Sequence, residues 1–148
     1  MILSKTYLLP TLTYGCEMFA SCDAVGRRRL SVTYYAIERY IFGIRRNRSI
    51  LHFARIIYNV TFNNLMNCRT LLFQHKFVYS RQIPYLYERL IFSRSNRGNT
   101  IDSMKYNEAI SQKHCFVHYI RLWNQLPPQI QMISNARHFK TVIFKHFT

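Results

Sequence analysis

Residues 23–43 read DAVGRRRLSVTYYAIERYIFG, and how this stretch folds decides the rest. Asp23 is a suitable N-cap, because its short carboxylate can accept from the first unbonded amides of a helix. Gly43 is the expected stop at the other end, where a residue free of Cβ constraint reverses the chain. Between them Leu30, Ile37 and Ile41, with Ile44 just beyond, share one face at helical spacing. Arg28, Tyr35 and Arg39 fall roughly opposite. The spacing predicts one long helix with an apolar side and a side on which an aromatic ring sits among arginines. Such a side suits phosphate and base contact, and it equally fits an ordinary solvated helix face.

Outward from this helix the same period continues. Leu3, Tyr7, Leu8, Leu12 and Phe19 form an earlier apolar stripe, bent or restarted at Pro10. Residues 50–58 and 65–79 read as helices split by Asn59-Val60-Thr61, with Leu65, Cys68, Leu72 and Tyr79 along one side of the second. Pro84 is placed to open a short helix through Phe92. From Ser93 to Asn99 the chain turns polar and gains a glycine, the best boundary in the sequence. Residues 115–120 could begin as strand or helix. Pro127-Pro128 stops the segment carrying Trp123. Ser134 reads as the cap of a helix with Phe139, Ile143 and Phe147 at intervals of four. The expectation is a mainly α protein, an irregular bundle of about five to seven helices, with a short strand or hairpin near 100–120. Residues 1–92 form a helical domain in this reading, 93–107 a polar linker and 108–148 a small helical segment.

Composition narrows the function. The chain has 148 residues, 49% of them hydrophobic, with 11 Phe, 11 Tyr and one Trp, which is enough apolar surface to drive folding. It carries 21 Lys and Arg against 6 Asp and Glu, a formal net charge of +15. The basic residues are spread along the whole chain, so the charge belongs to the folded surface and not to a tail. A surface this basic repels itself, and a polyanion relieves the repulsion while releasing its own counterions. Arginine predominates, which suits bidentate phosphate contacts and stacking on bases. An acidic protein or an anionic membrane surface is the plainer partner for such a charge, and nucleic acid is preferred.

Several chemistries find no support. The six acidic residues, Glu17, Asp23, Glu38, Glu88, Asp102 and Glu108, include no adjacent pair of the kind that clamps catalytic divalent metals. The four glycines are too scattered to cradle a phosphate as a P-loop does. His114 and His118 lie one helical turn apart, but a zinc ion needs further ligands, and a mixed surface is the preferred reading. Cys16, Cys22, Cys68 and Cys115 have neither knuckle spacing nor disulfide density and read as reduced thiols. Neither a metal nor a cofactor is implied. Met1 to Cys22 has a passing likeness to a signal peptide, which Pro10, Thr11, Thr13 and Glu17 interrupt. No stretch approaches the roughly 18 uninterrupted apolar residues of a membrane span.

Three arginine clusters remain: Arg27, Arg28 and Arg29; Arg45, Arg46 and Arg48; and Arg94 with Arg97. The first two bracket the helix of residues 23–43. Cations near its C-terminus suit the helix dipole, but three at its N-terminus oppose it, which an external anion would relieve. With Tyr35 as a stacking ring and Arg39 beside it, these are the candidate nucleic-acid contacts. Trp123, before a Pro-Pro stop, is read as a core residue.

Four segments, in order, resemble the region downstream of the polymerase palm in jockey-like non-LTR retrotransposon reverse transcriptases. They are Leu9-Pro10-Thr11-Leu12-Thr13-Tyr14-Gly15-Cys16-Glu17; Ala36-Ile37-Glu38-Arg39-Tyr40-Ile41-Phe42-Gly43-Ile44; Phe92-Ser93-Arg94-Ser95-Asn96-Arg97-Gly98-Asn99; and Arg121-Leu122-Trp123-Asn124-Gln125-Leu126-Pro127, followed by Phe139-Lys140. The resemblance implies a thumb-like domain over 1–92 that grips a template–primer duplex in an RNA-directed DNA polymerase, in the nucleus or cytoplasm, beside a palm domain. The paired-aspartate palm motif, the fingers and the endonuclease of that family do not occur in these residues. No catalytic residue is therefore carried over, and the expectation is a non-catalytic fragment that binds RNA or DNA backbone without sequence preference. A free-standing domesticated binding protein, or a degenerate remnant without selected function, is the alternative.

Overall fold

The computed structural model describes residues 6–7, 10–11, 14–15, 24–50, 60–80, 91–92, 100–102 and 115–148. Within these the protein is mainly helical, an irregular bundle. Helix α1 spans Ala24–Phe42 and α2 Phe62–His75, continued by a π-helical turn, Lys76–Ser80. Two short strands follow, β1 Ile91–Phe92 and β2 Ile101–Asp102. Helices α3 Cys115–Asn124, α4 Pro128–Gln131 and α5 Ala136–His146 complete the described elements. Residues 115–120 are thus helix, and the expected strand near 100–120 is β2. The Asp23 cap, the helix at 51–58 and most of the stripe before Phe19 lie outside the described residues, as does nearly all of the linker.

The caps explain the boundaries. Thr61, extended at φ −73°, accepts from the Asn64 amide at 3.4 Å and starts α2 where the Asn-Val-Thr break was expected. α4 starts at Pro128, whose missing N–H costs nothing in a first turn. α5 starts one residue later than the sequence suggested: Asn135, not Ser134, is the cap, and its Oδ1 accepts from the Arg137 and His138 amides, both at 3.0 Å. That one carboxamide oxygen satisfies two of the free donors of the first turn.

The core lies between α2 and the α3–α5 unit. Cys68, Leu71, Trp123, Phe139 and Ile143 are all fully buried there. Four rings stack in a row through it. Tyr79 lies 4.8 Å from His75, His75 4.4 Å from Phe139, and Phe139 5.8 Å from Trp123. Trp123 is the core residue its Pro-Pro context implied. The Cys68 thiol is free, buried and 3.9 Å from the Ile143 carbonyl, and burial pushes its pKa up to about 12. It is therefore an inert, protonated packing group.

One sequence expectation is corrected. Phe92 and Ile91 do not end a helix. They pair antiparallel with β2 in the register Ile91↔Asp102 and Phe92↔Ile101. A side chain holds the far edge of this ladder: Asn124 accepts from the Ile101 amide at 3.0 Å and donates to the Ile101 carbonyl at 2.8 Å. The amide of Asn124 stands in for a third strand, so tertiary bonding overrides the local helical pattern. In α1 the buried residues lie on the face read from the sequence, since Tyr34 is one turn from Leu30 and two turns from Ile41 on the same side. Tyr34 and Glu38 are the buried residues, 1% and 2% exposed, while Ile41 is exposed. Tyr34 stacks on Phe62 at 4.6 Å, the ring contact that seats this face of α1 against α2. No described helix is long and apolar enough to cross a membrane.

Candidate nucleic-acid interface

The C-terminal end of α1 is built by Gly43. Its φ of +61° puts it in the left-handed region, where a Cβ would be strained. The Ile44 amide donates to the Arg39 carbonyl at 2.9 Å and the Gly43 amide to Tyr40 at 3.4 Å, the paired bonds of a Schellman motif. The reversal sends Arg45 and Arg46 back beside the last turn of α1. A further turn, Arg48 amide to Arg45 carbonyl at 3.1 Å, leaves Arg45, Arg46 and Arg48 all exposed.

These residues form an open groove of about 670 Å³. Arg39, Tyr40, Gly43, Ile44, Arg45 and Arg46 line it. Tyr40 stands at its side, 89% exposed. The Nε of Arg39 is buried and has no hydrogen-bond partner among the described residues.

The other sequence-predicted contacts divide. Arg28 and Arg29 are exposed near the start of α1, about 20 Å along the helix axis from the groove at 1.5 Å per residue. They form a second basic patch on the same helix. Arg27 turns inward instead: its Nη2 donates to the His118 ring, 2.9 Å from Nε2. That contact accounts for one of the three arginines that opposed the dipole. Tyr35 is also internal in role, its hydroxyl accepting from the Phe62 amide at 3.2 Å and its ring edge against Tyr34. Arg94 and Arg97 lie outside the described residues. Sequence reasoning passed over Tyr40, the ring that the structure places among the arginines. The signal was present: Tyr40 lies one residue after Arg39 and three before the glycine that ends the helix.

Arg27 fixes the state of His118 as well as its position. Burial first, then the charges of Arg27 and Arg121, hold the His118 pKa below its usual 6.5. An unprotonated ring nitrogen is also what can accept from a guanidinium. His75 is lowered too, by burial, against the opposing effect of its 2.8 Å bond to the Ile133 carbonyl. Below pH 6.5 the unfolded chain thus binds protons that these two native histidines refuse. Stability is expected to be full above that pH and to fall as the pH drops through and beneath it. Denaturant midpoints measured on either side of pH 6.5 check this, and a midpoint that rises on acidification contradicts it.

No protein-family model matches this chain, and it matches no characterised protein and no solved structure.

Proposed function

We propose that the chain binds nucleic-acid backbone through α1, with phosphates held at the groove by Arg39, Arg45 and Arg46 and a weaker contact at Arg28 and Arg29. The observation that carries this reading is the groove itself. It brings Arg39, Arg45 and Arg46 to one concavity beside an exposed tyrosine. The net charge of +15 supplies long-range attraction to any polyanion. Nothing in the site distinguishes one base from another, so binding is independent of sequence.

In its wider setting the chain is a non-catalytic part of an RNA-directed DNA polymerase of the non-LTR retrotransposon kind, contributing affinity to a catalytic domain elsewhere. The support for this is the order of the four sequence segments. The second of them, Ala36–Ile44, supplies most of the groove. The alternative, a free-standing binding protein, is supported by the core that α2 closes with α3–α5, and it uses the same surface.

Fluorescence anisotropy with a labelled oligonucleotide over a range of salt tests the binding reading. Affinity is expected to fall steeply, about 0.7 in log K per log unit of salt for each phosphate engaged on a single strand. Binding that is flat between about 50 and 200 mM salt would overturn it.

A further inference from the structure

The groove is more than a cationic patch, because an aromatic ring is held out in water beside it. Tyr40 is 89% exposed, and the residues one turn away on either side are small. Ala36 and Gly43 both line the groove, and an atom added at the Gly43 Cβ position would meet nothing within 4 Å. The space next to the ring is therefore open. At about 670 Å³ it lies within the range of sites that bury a small planar ligand.

We propose that this groove seats an unpaired nucleotide, its base stacked on Tyr40 and its flanking phosphates on Arg39, Arg45 and Arg46, so that the chain selects single-stranded over duplex nucleic acid. The inference rests on the nucleic-acid reading above and adds the strand state to it. A base in a duplex already has both faces stacked and its edge paired, so it has no face to offer Tyr40. A base in a single strand does, and every base has one, so the preference is for strand state and not for sequence. The arginines serve either form, since both present phosphates. Tyr40 is the group that discriminates.

The test compares three probes at one ionic strength: an oligouridylate of about ten nucleotides, an abasic strand of equal length, and a duplex of that length. The full chain is expected to bind the oligouridylate more tightly than either of the others. Tyr40→Ala should weaken oligouridylate binding about five- to hundredfold, the usual range for losing one stacked base. It should leave abasic and duplex binding, and the salt dependence, unchanged. Tyr40→Phe keeps the ring face and should retain the preference. Because Tyr40 is exposed, the variants should unfold at the temperature of the parent chain. Equal binding of strand and duplex, or a Tyr40→Ala chain that still prefers the strand, overturns the inference while leaving backbone binding intact. No binding to any of the three probes overturns the reading beneath it as well.

Discussion

Replacing Phe139 with alanine is expected to cost about 3–5 kcal/mol of folding free energy, the usual range for deleting a fully buried aromatic side chain. Phe139 is 0% exposed and sits third in the ring stack, with His75 4.4 Å away on one side and Trp123 5.8 Å on the other. Its loss opens a void between two rings that cannot close without moving α5 off α2, and His75 would lose the cover that keeps it neutral. A small domain has only about 5–15 kcal/mol in hand, so the variant should unfold at a much lower temperature or fail to fold. Thermal melts followed by circular dichroism provide the check, and the parent chain should show one cooperative transition. Phe139→Leu keeps most of the volume and should cost clearly less. A melt unchanged by Phe139→Ala would mean that the described core is not the one that holds the chain together.

The largest functional effect is expected from Arg39, Arg45 and Arg46 changed together to alanine. Each guanidinium that neutralises a phosphate on a single strand contributes about 0.7 to the salt slope, so losing three should flatten it by about 2. At about 1 kcal/mol per contact, a modest value for a charged hydrogen bond, affinity should drop on the order of a hundredfold at low salt. All three lie on or next to the C-terminal turn of α1, away from the stack, so the melting temperature should hold to within a few degrees. Arg28→Ala with Arg29→Ala removes the same kind of charge from the other end of the helix and should have a smaller effect. If that pair instead matches the triple variant, affinity follows total charge and the groove has no special part in it.

Much of the architecture was readable in advance, wherever one residue type has one local use. Gly43 ended α1, Thr61 stood at the break before α2, Pro127-Pro128 separated α3 from α4, and the spacing Phe139–Ile143–Phe147 marked the inner side of α5. The face of α1 that turns inward was readable too, but how deeply each residue on it is covered was not. Val25, Val32, Tyr40 and Ile41 are exposed while Tyr34 and Glu38 are buried. Periodicity says which residues share a face but not where along that face a neighbour ends: Tyr34 is covered by Phe62, while Ile41, seven residues on, is exposed. The site was less legible, because its errors came from partners distant in the chain. The sequence placed Tyr35 and Arg27 among the contacts because they neighbour arginines in the chain, yet their partners, Phe62 and His118, lie 27 and 91 residues away. The role of Asn124 was hidden for a similar reason, since a carboxamide completing a strand edge leaves no trace in local composition.

The bonds that tie α2 to the C-terminal helices join distant parts of the chain. Asn64 reaches the Phe147 carbonyl across 83 residues, Cys68 reaches Ile143 across 75, and His75 reaches Ile133 across 58. Such separations are long for a helical protein, whose contacts are mostly local, and they slow folding because long loops must close before any packing rewards them. During synthesis α2 can meet α1 at once through Phe62 and Tyr34, but its bonds to the end of the chain wait until residues 136–147 have left the ribosome. The part of its surface around Cys68 that Ile143 closes therefore stays open for as long as the next seventy or so residues take to make, several seconds or more at ordinary rates of elongation. A nascent chain in that condition is a natural client for chaperones that cover apolar helices.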